Sequence, residues 1–151
     1  MNVPNSTNPP LGFDRVPHVR TRALVVEDDN ATREALRRIL EREGCDIDVA
    51  ADGEKAVGFL AQHNYDVVVM DIVLPKISGT DVMEYIASSN PAQLERVIVV
   101  TGLDVSEIRK LFPSVCEALS KPVMPTRLLS SFRRCVAIGT EPNGKSGISV
   151  A

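Results

Sequence analysis

The sequence predicts an α/β protein built on a doubly wound parallel sheet with helices on both faces. Three observations predict it. Short apolar runs alternate five times with amphipathic stretches of helical period. The strongest runs, Val67–Met70 and Val97–Val100, are continuous rather than alternating, as strands covered on both faces must be. Between the runs stand residues that cap helices or end them, so each unit reads as strand, turn, helix.

Taken in order, Ala23–Val26 is the first strand, and the helix after it carries Ala35, Leu36, Ile39 and Leu40 on one face. Asn30 is its expected N-cap and Gly44 its stop. Cys45–Ala50 alternates as a weaker strand, and Asp52 then caps a helix with Ala56, Val57, Phe59 and Leu60. Val67–Met70 is the third strand. Ser78 with Asp81 three positions on resembles a capping box for a helix carrying Val82, Met83 and Ile86. Val97–Val100 is the fourth strand. Asp104 and Glu107 open a short helix through Ile108 and Leu111, which Pro113 ends. Val115–Leu119 is a marginal fifth strand, and Pro125 starts a last helix with Leu128, Leu129, Phe132 and Val136.

Composition narrows the function classes. Of 151 residues 44% are hydrophobic and 25% charged, so the chain is neither wholly disordered nor a disulfide miniprotein. No apolar run approaches the roughly 18 residues of a membrane span. Seventeen basic against 20 acidic residues give a net charge of −3, with no basic segment suited to nucleic acid. Cys45, Cys116 and Cys135 are an odd number without metal-type spacing, and all three are expected as buried thiols in a reducing compartment. No signal-peptide pattern opens the chain, and a cytoplasmic location is expected. Residues 1–20, with four prolines, read as a flexible arm, 21–138 as the domain, and 139–151 as a flexible tail.

In doubly wound sheets, ligands bind beyond the carboxyl ends of the strands. There the first strand runs into Glu27, Asp28 and Asp29, the third into Asp71, the fourth into Thr101, and the fifth into Ser120, Lys121 and Pro122. Each alone is common at strand exits and caps. Acid, acid, hydroxyl and ammonium at four strand ends of one chain form a constellation.

Those segments, Leu24-Val-Val-Glu-Asp-Asp29, Val69-Met-Asp-Ile-Val-Leu-Pro-Lys-Ile-Ser-Gly79, Val100-Thr-Gly102 and Ser120-Lys-Pro122, resemble the receiver domains of two-component response regulators. The resemblance covers residues 21–138, and Asp71 followed by Pro75 and Gly79 is its most specific part. It implies the flavodoxin-like strand order 2-1-3-4-5. With the first and third strands adjacent, about 4.8 Å apart, Asp28 and Asp71 converge. Clustered carboxylates raise one another's pKa unless a cation sits between them, and hard oxygen ligands suit Mg2+ or Mn2+.

By the resemblance, Glu27, Asp28, Asp71 and the Val73 backbone carbonyl hold the metal, Glu27 through water or as a second acid. Asp71 is then the phosphoacceptor, attacking a phosphohistidine to form an aspartyl phosphate. Thr101 donates to a phosphoryl oxygen. Lys121 pairs with Asp71 before transfer and with the phosphoryl group after it, and Gly102 leaves room for that group. The Lys121–Pro122 bond is a candidate cis peptide.

Other residues are assigned elsewhere. His63 is expected in a solvated loop, His18 lies in the arm, and Met70 and Met83 belong to the core. Arg33, Arg37, Arg38 and Arg42 alternate with Glu34, Glu41 and Glu43 as an exposed helix face. In the family that helix also docks the phosphodonor.

The pattern departs from the family at three positions. Receivers place an aromatic residue three before the lysine, where this chain has Ala118, so a switch would rely on Thr101 and backbone shifts. The segment from Thr101 to Lys121 is short, which argues against a standard dimerising face. The residues two after Asp71 and Thr101, which flank the hydrolytic water, are the apolar Val73 and Leu103, and a long-lived phosphoryl state is expected.

The resemblance implies a stand-alone response regulator receiver, a signalling phosphoacceptor rather than a conventional enzyme. Its expected partners are a sensor histidine kinase or histidine phosphotransfer protein and an unknown downstream protein, without nucleic acid or membrane. Output would be protein–protein contact or onward phosphorelay, since about 13 residues follow the last helix. A degenerate receiver acting as a phosphorylation-independent binding module is the alternative. A phosphatase with an aspartyl nucleophile would need a second acid at position 73, where Val73 stands.

Overall fold

The computed structural model describes residues 20–140. Five strands, β1 (Arg22–Val26), β2 (Asp46–Ala50), β3 (Val67–Met70), β4 (Val97–Thr101) and β5 (Glu117–Ser120), form one parallel sheet in the order β2-β1-β3-β4-β5. The helices are α1 (Asn30–Glu41), α2 (Gly53–Gln62), α3 (Gly79–Ser89), α4 (Pro91–Leu94), α5 (Val105–Leu111) and α6 (Pro125–Thr140). The expected doubly wound sheet and its order are therefore present.

Side chains alternate across a strand, and here both faces feed a core. Leu24, Val26, Val68, Met70, Val97 and Val99 pack with Ala56 of α2, Val82, Met83 and Ile86 of α3, and Ile108 of α5. Ala23, Val25, Val67, Val69, Ile98 and Val100 pack instead with Leu36 and Leu40 of α1 and Leu128, Phe132 and Cys135 of α6. This is why the strands read as unbroken apolar runs. All four residues of β3 are fully buried, each contributing about 1.5–3 kcal/mol. β2, at the sheet edge, is mostly part-exposed, in keeping with its weaker alternating pattern.

The caps follow local chemistry. Asp52, Ser78 and Asp104 accept from the backbone N–H of Lys55, Asp81 and Ser106 and start α2, α3 and α5. For α1 the cap is Asp29, not the expected Asn30: its carboxylate accepts from both the N–H and the hydroxyl of Thr32, at 2.8 and 2.7 Å. These bonds hold its pKa below the usual carboxylate value. Asn30 is the first helical residue.

Two further features differ from expectation. The four-residue α4 was not foreseen, because it is secured from a distance: the buried Gln93 side chain accepts from the Tyr65 N–H and donates to the Tyr65 carbonyl, both at 2.9 Å. α6 continues to Thr140, beyond the expected start of the tail at residue 139. The remaining tail and residues 1–19 of the expected arm lie outside the described residues.

The cysteines require a correction. Only Cys45 is a free buried thiol, whereas Cys116 and Cys135 form a disulfide with Cα atoms 6.1 Å apart. The pair is separated by 19 positions, over which the chain runs along β5 and back down α6, and that return brings them within bonding range. Among the described residues no helix is long and apolar enough to cross a membrane.

Candidate functional site

Register builds the site. β1 and β3 are neighbours with Val26 opposite Met70, so the next residues, Glu27 and Asp71, emerge side by side at the carboxyl edge. Backbone bonds continue past both strands: Glu27 N donates to Ala50 O and Asp71 N to Val26 O, each at 3.0 Å. Carboxylate oxygens of Glu27, Asp28 and Asp71 all lie within 4.8 Å of one another. Glu27 is 1% exposed and Asp71 6%, while Asp28 is open to solvent.

Lys121 enters from the far side. Its backbone N–H donates to Thr101 O at 2.9 Å, just past the paired ends of β4 and β5, and the peptide to Pro122 is cis. From there Nζ reaches 2.7 Å from Asp71 Oδ2 and 2.7 Å from Glu27 Oε1. Burial disfavours its charge, but the hydrogen bond to Asp71, with Glu27 behind it, more than offsets this and raises its pKa. The other Asp71 oxygen accepts from Val73 N at 3.1 Å, and Glu27 Oε2 accepts from Asp29 N at 3.1 Å.

One carboxylate oxygen in this cluster depends on Lys121. Glu27 Oε1 is buried, and its partner is the Lys121 ammonium, 2.7 Å away. A buried carboxylate oxygen normally has a full set of partners. Two buried carboxylates, drawn together by Lys121, and an exposed third make an all-oxygen donor set open to water on one side. The three residues could hold a hard divalent cation.

The remaining expected site residues are distributed around that cluster. Thr101 is fully buried at the end of β4, and its Oγ1 accepts from Leu103 N at 3.2 Å, which leaves the hydroxyl proton available. Among the described residues no hydrogen bond joins Thr101 to Asp71. Beside it Gly102 faces open space. Val73 and Leu103 are 58% and 48% exposed, so they rim the site rather than seal it. At Gly79 a Cβ would stand 2.6 Å from the Asp71 carbonyl oxygen and 2.5 Å from Ile72 Cα. Only a residue without Cβ lets α3 begin this close to the acidic loop.

Arg33 was not singled out from the rest of its helix face. Its guanidinium turns back to donate to the Glu27 and Asp28 carbonyls, at 3.0 and 3.4 Å, and also to Asn30. The available signal was its position four residues after the Asp29 cap, over the first turn. Arg37 pairs with Glu34 and Glu41, and Arg38 with Glu34, as surface ion pairs. Glu43 instead pairs with Arg133 of α6 at 3.0 Å. His63 lies near Arg22, at the opposite end of the strands.

Ala118 leaves a void. A cleft of about 240 Å³ opens beside it, walled by Val105, Val123 and Met124, with Arg127 at its edge. Ala118→Phe is therefore expected to change stability by less than about 1 kcal/mol, where overpacking a filled core costs about 1–3 kcal/mol. Urea unfolding of the variant measures this, and a larger loss would mean the cleft cannot take a ring.

The comparisons with known proteins agree with this geometry. Residues 23–133 match the response regulator receiver domain. The response regulator MprA of Mycolicibacterium vanbaalenii is 34% identical over 132 residues, covering 86% of this chain and 56% of that protein. A cyclic di-GMP phosphodiesterase of Thermotoga maritima is 42% identical over 87 residues, 58% of this chain and 23% of that protein. The chain thus spans about half the length, or less, of these curated relatives. Among solved structures, a CheY-like response regulator receiver domain protein from Methanospirillum hungatei superposes with a TM-score of 0.74 at 26% identity, covering 82% of this chain and 98% of that one. With the matched segment running from β1 into α6, the chain belongs to the response regulator receiver domain family.

Proposed function

We propose that this chain is a Mg2+-dependent phosphoacceptor, taking a phosphoryl group on Asp71 from a histidine kinase or a histidine phosphotransfer protein in the cytoplasm. The observation that carries the reading is the Lys121 ammonium, 2.7 Å from both the Asp71 and Glu27 carboxylates. In this reading a carboxylate oxygen of Asp71 attacks phosphorus, the bond from phosphorus to the donor imidazole breaks, and the imidazole takes a proton as it leaves. Lys121 follows the charge from the carboxylate to the phosphoryl oxygens, Thr101 donates its hydroxyl proton to one of them, and Gly102 leaves the space they need. Glu27, Asp28, Asp71 and the Val73 carbonyl would hold the metal. When bound, Mg2+ offsets the negative charge gathered on the transferring group.

An apolar cleft of about 530 Å³ between α1 and the loop after β5 suits docking of the phosphodonor. Ala31, Ala35, Ile39 and Val123 line it, and Lys121 stands in its wall. Output then passes to another protein, by contact or by onward phosphorelay.

Incubation with acetyl phosphate and Mg2+, followed by intact-mass measurement, tests the reading. One phosphoryl group per chain, absent from Asp71→Asn, is the expected result. The void at Ala118 favours a second reading, a phosphorylation-independent binding module, for which no adduct would form. Continuous release of phosphate would instead indicate a phosphatase.

The rim makes a further prediction. Val73 and Leu103 offer an incoming water no hydrogen bond, so the Asp71 adduct should be long-lived. Introducing Val73→Asn and Leu103→Glu together should speed loss of a 32P label about tenfold, or ~1.4 kcal/mol in the barrier. Equal decay of the two proteins would contradict it.

A further inference from the structure

The disulfide between Cys116 and Cys135 ties the segment entering β5 to the middle of α6. Its two cysteines are unequally buried. Cys135 is fully buried against the sheet, whereas Cys116 is part-exposed. The third cysteine, Cys45, lies in the same core layer, where burial pushes its thiol up to about 11, so it stays protonated and is a poor competitor in exchange. α6 also has attachments that do not depend on the bond. Leu128 and Phe132 are buried, Arg133 pairs with Glu43 at 3.0 Å, and Arg134 pairs with Glu117 at 2.6 Å. These contacts are expected to keep α6 on the sheet when the bond opens.

Disulfides are rare in a reducing cytoplasm, and those found there are mostly transient, serving catalysis or redox sensing. We propose that Cys116–Cys135 is a thiol-exchange site, opened by a dithiol reductant and closed by a disulfide oxidant, whose state sets how firmly α6 is held to β5. The proposal rests on the phosphoacceptor reading for its cytoplasmic compartment alone.

The chemistry is a pair of exchanges. A thiolate of the reductant attacks the accessible Cys116 sulfur, the Cys116–Cys135 bond breaks, and Cys135 leaves as a thiolate that takes a proton. The second thiol of the reductant then attacks its own sulfur in the mixed disulfide and releases Cys116, which is protonated in turn. Two electrons and two protons pass to the protein, and the dithiol becomes a disulfide. Oxidation runs the same steps in reverse.

Once unbonded, the sulfurs must separate to van der Waals contact, which pushes the two side chains apart. Cys116, the part-exposed partner, is the side chain free to swing outward. The tie it releases lies five positions before Lys121 and at one end of the helix layer that α6 shares with α1.

The test uses the whole chain. Treatment with dithiothreitol at neutral pH, without denaturant, is followed by iodoacetamide and peptide mass mapping. Alkylation at Cys116 is expected, with buried Cys45 and Cys135 appearing as free thiols only after denaturation, and a disulfide such as oxidised glutathione should restore the bond. Hydrogen exchange should then rise about tenfold for α6 amides on reduction, with β1 and β3 unchanged. A Cys116→Ser variant should show the faster rate with or without dithiol.

A bond that opens only when the whole protein unfolds would overturn the proposal, leaving a fixed cross-link. So would two thiols that never couple under the oxidant. Acetyl phosphate labelling of Asp71 in both redox states keeps the readings apart: no label in either state defeats the phosphoacceptor reading while the alkylation result stands.

Discussion

Lys121→Met is expected to destabilise the protein by about 3 kcal/mol and to tighten its hold on Mg2+. Methionine keeps the length of the stem but deletes the charge that lies 2.7 Å from Asp71 and 2.7 Å from Glu27. Removing one partner of a buried ion pair costs about 3–5 kcal/mol, and the lower end applies because the lysine side chain is 27% exposed. Two bare carboxylates then remain beside Asp28, and a divalent cation is the natural replacement for the lost charge. At a hundredfold excess over its dissociation constant, Mg2+ would restore ~2.7 kcal/mol.

Urea unfolding with and without Mg2+ measures both effects. A variant as stable as the parent, or one indifferent to Mg2+, would show that the carboxylates are not coupled through the lysine. In the parent chain the pH dependence has a definite sign. Lys121 has a raised pKa when folded, so its stabilisation is complete below the free lysine value of about 10.4. It is lost as pH rises through the folded value. Alkaline denaturation should therefore begin earlier in the parent than its neutral-pH stability suggests, and that feature should vanish in Lys121→Met.

Gly79→Ala is the second substitution with a large expected effect, about 2–3 kcal/mol of lost stability and a marked fall in phosphoryl acceptance. The new Cβ would meet backbone on two sides, the Asp71 carbonyl oxygen at 2.6 Å and Ile72 Cα at 2.5 Å. Flexible side chains can turn away from such a clash, but backbone in the acidic loop moves only by shifting Asp71 itself. Gly58→Ala is the internal comparison. Gly58 lies inside α2 with nothing within 4 Å of a Cβ, so alanine there should stabilise by about 0.5–1 kcal/mol. Thermal unfolding of both variants gives the comparison, and equal effects would mean that the crowding at Gly79 relaxes freely.

Much of this was legible in the chain. Continuous runs such as Val67–Met70 mark strands buried on two sides, because no exposed face interrupts them with polar residues. Asp52, Ser78 and Asp104 could be read as caps because each bonds an N–H only two or three positions away. The strand-end acids were legible for the same reason: a carboxylate directly after a parallel strand has only one edge of the sheet to occupy.

What escaped the sequence shares one property. Arg33 folds back onto the Glu27 carbonyl, Gln93 secures α4 through Tyr65, and Cys116 meets Cys135 after a full return of the chain. Each depends on where a long side chain is sent or on how one helix is rotated against the sheet, which spacing along the chain does not encode.

By itself, then, the sequence determined the alternation of elements, the capping of four helices to within one residue, and the edge where the acids collect. These follow from burial and from hydrogen bonds a few residues apart. Tertiary structure alone decided that Lys121 lies between two carboxylates and that two cysteines are joined. Distances between residues 19 to 94 positions apart are set by the packing of whole layers, and no local preference supplies them.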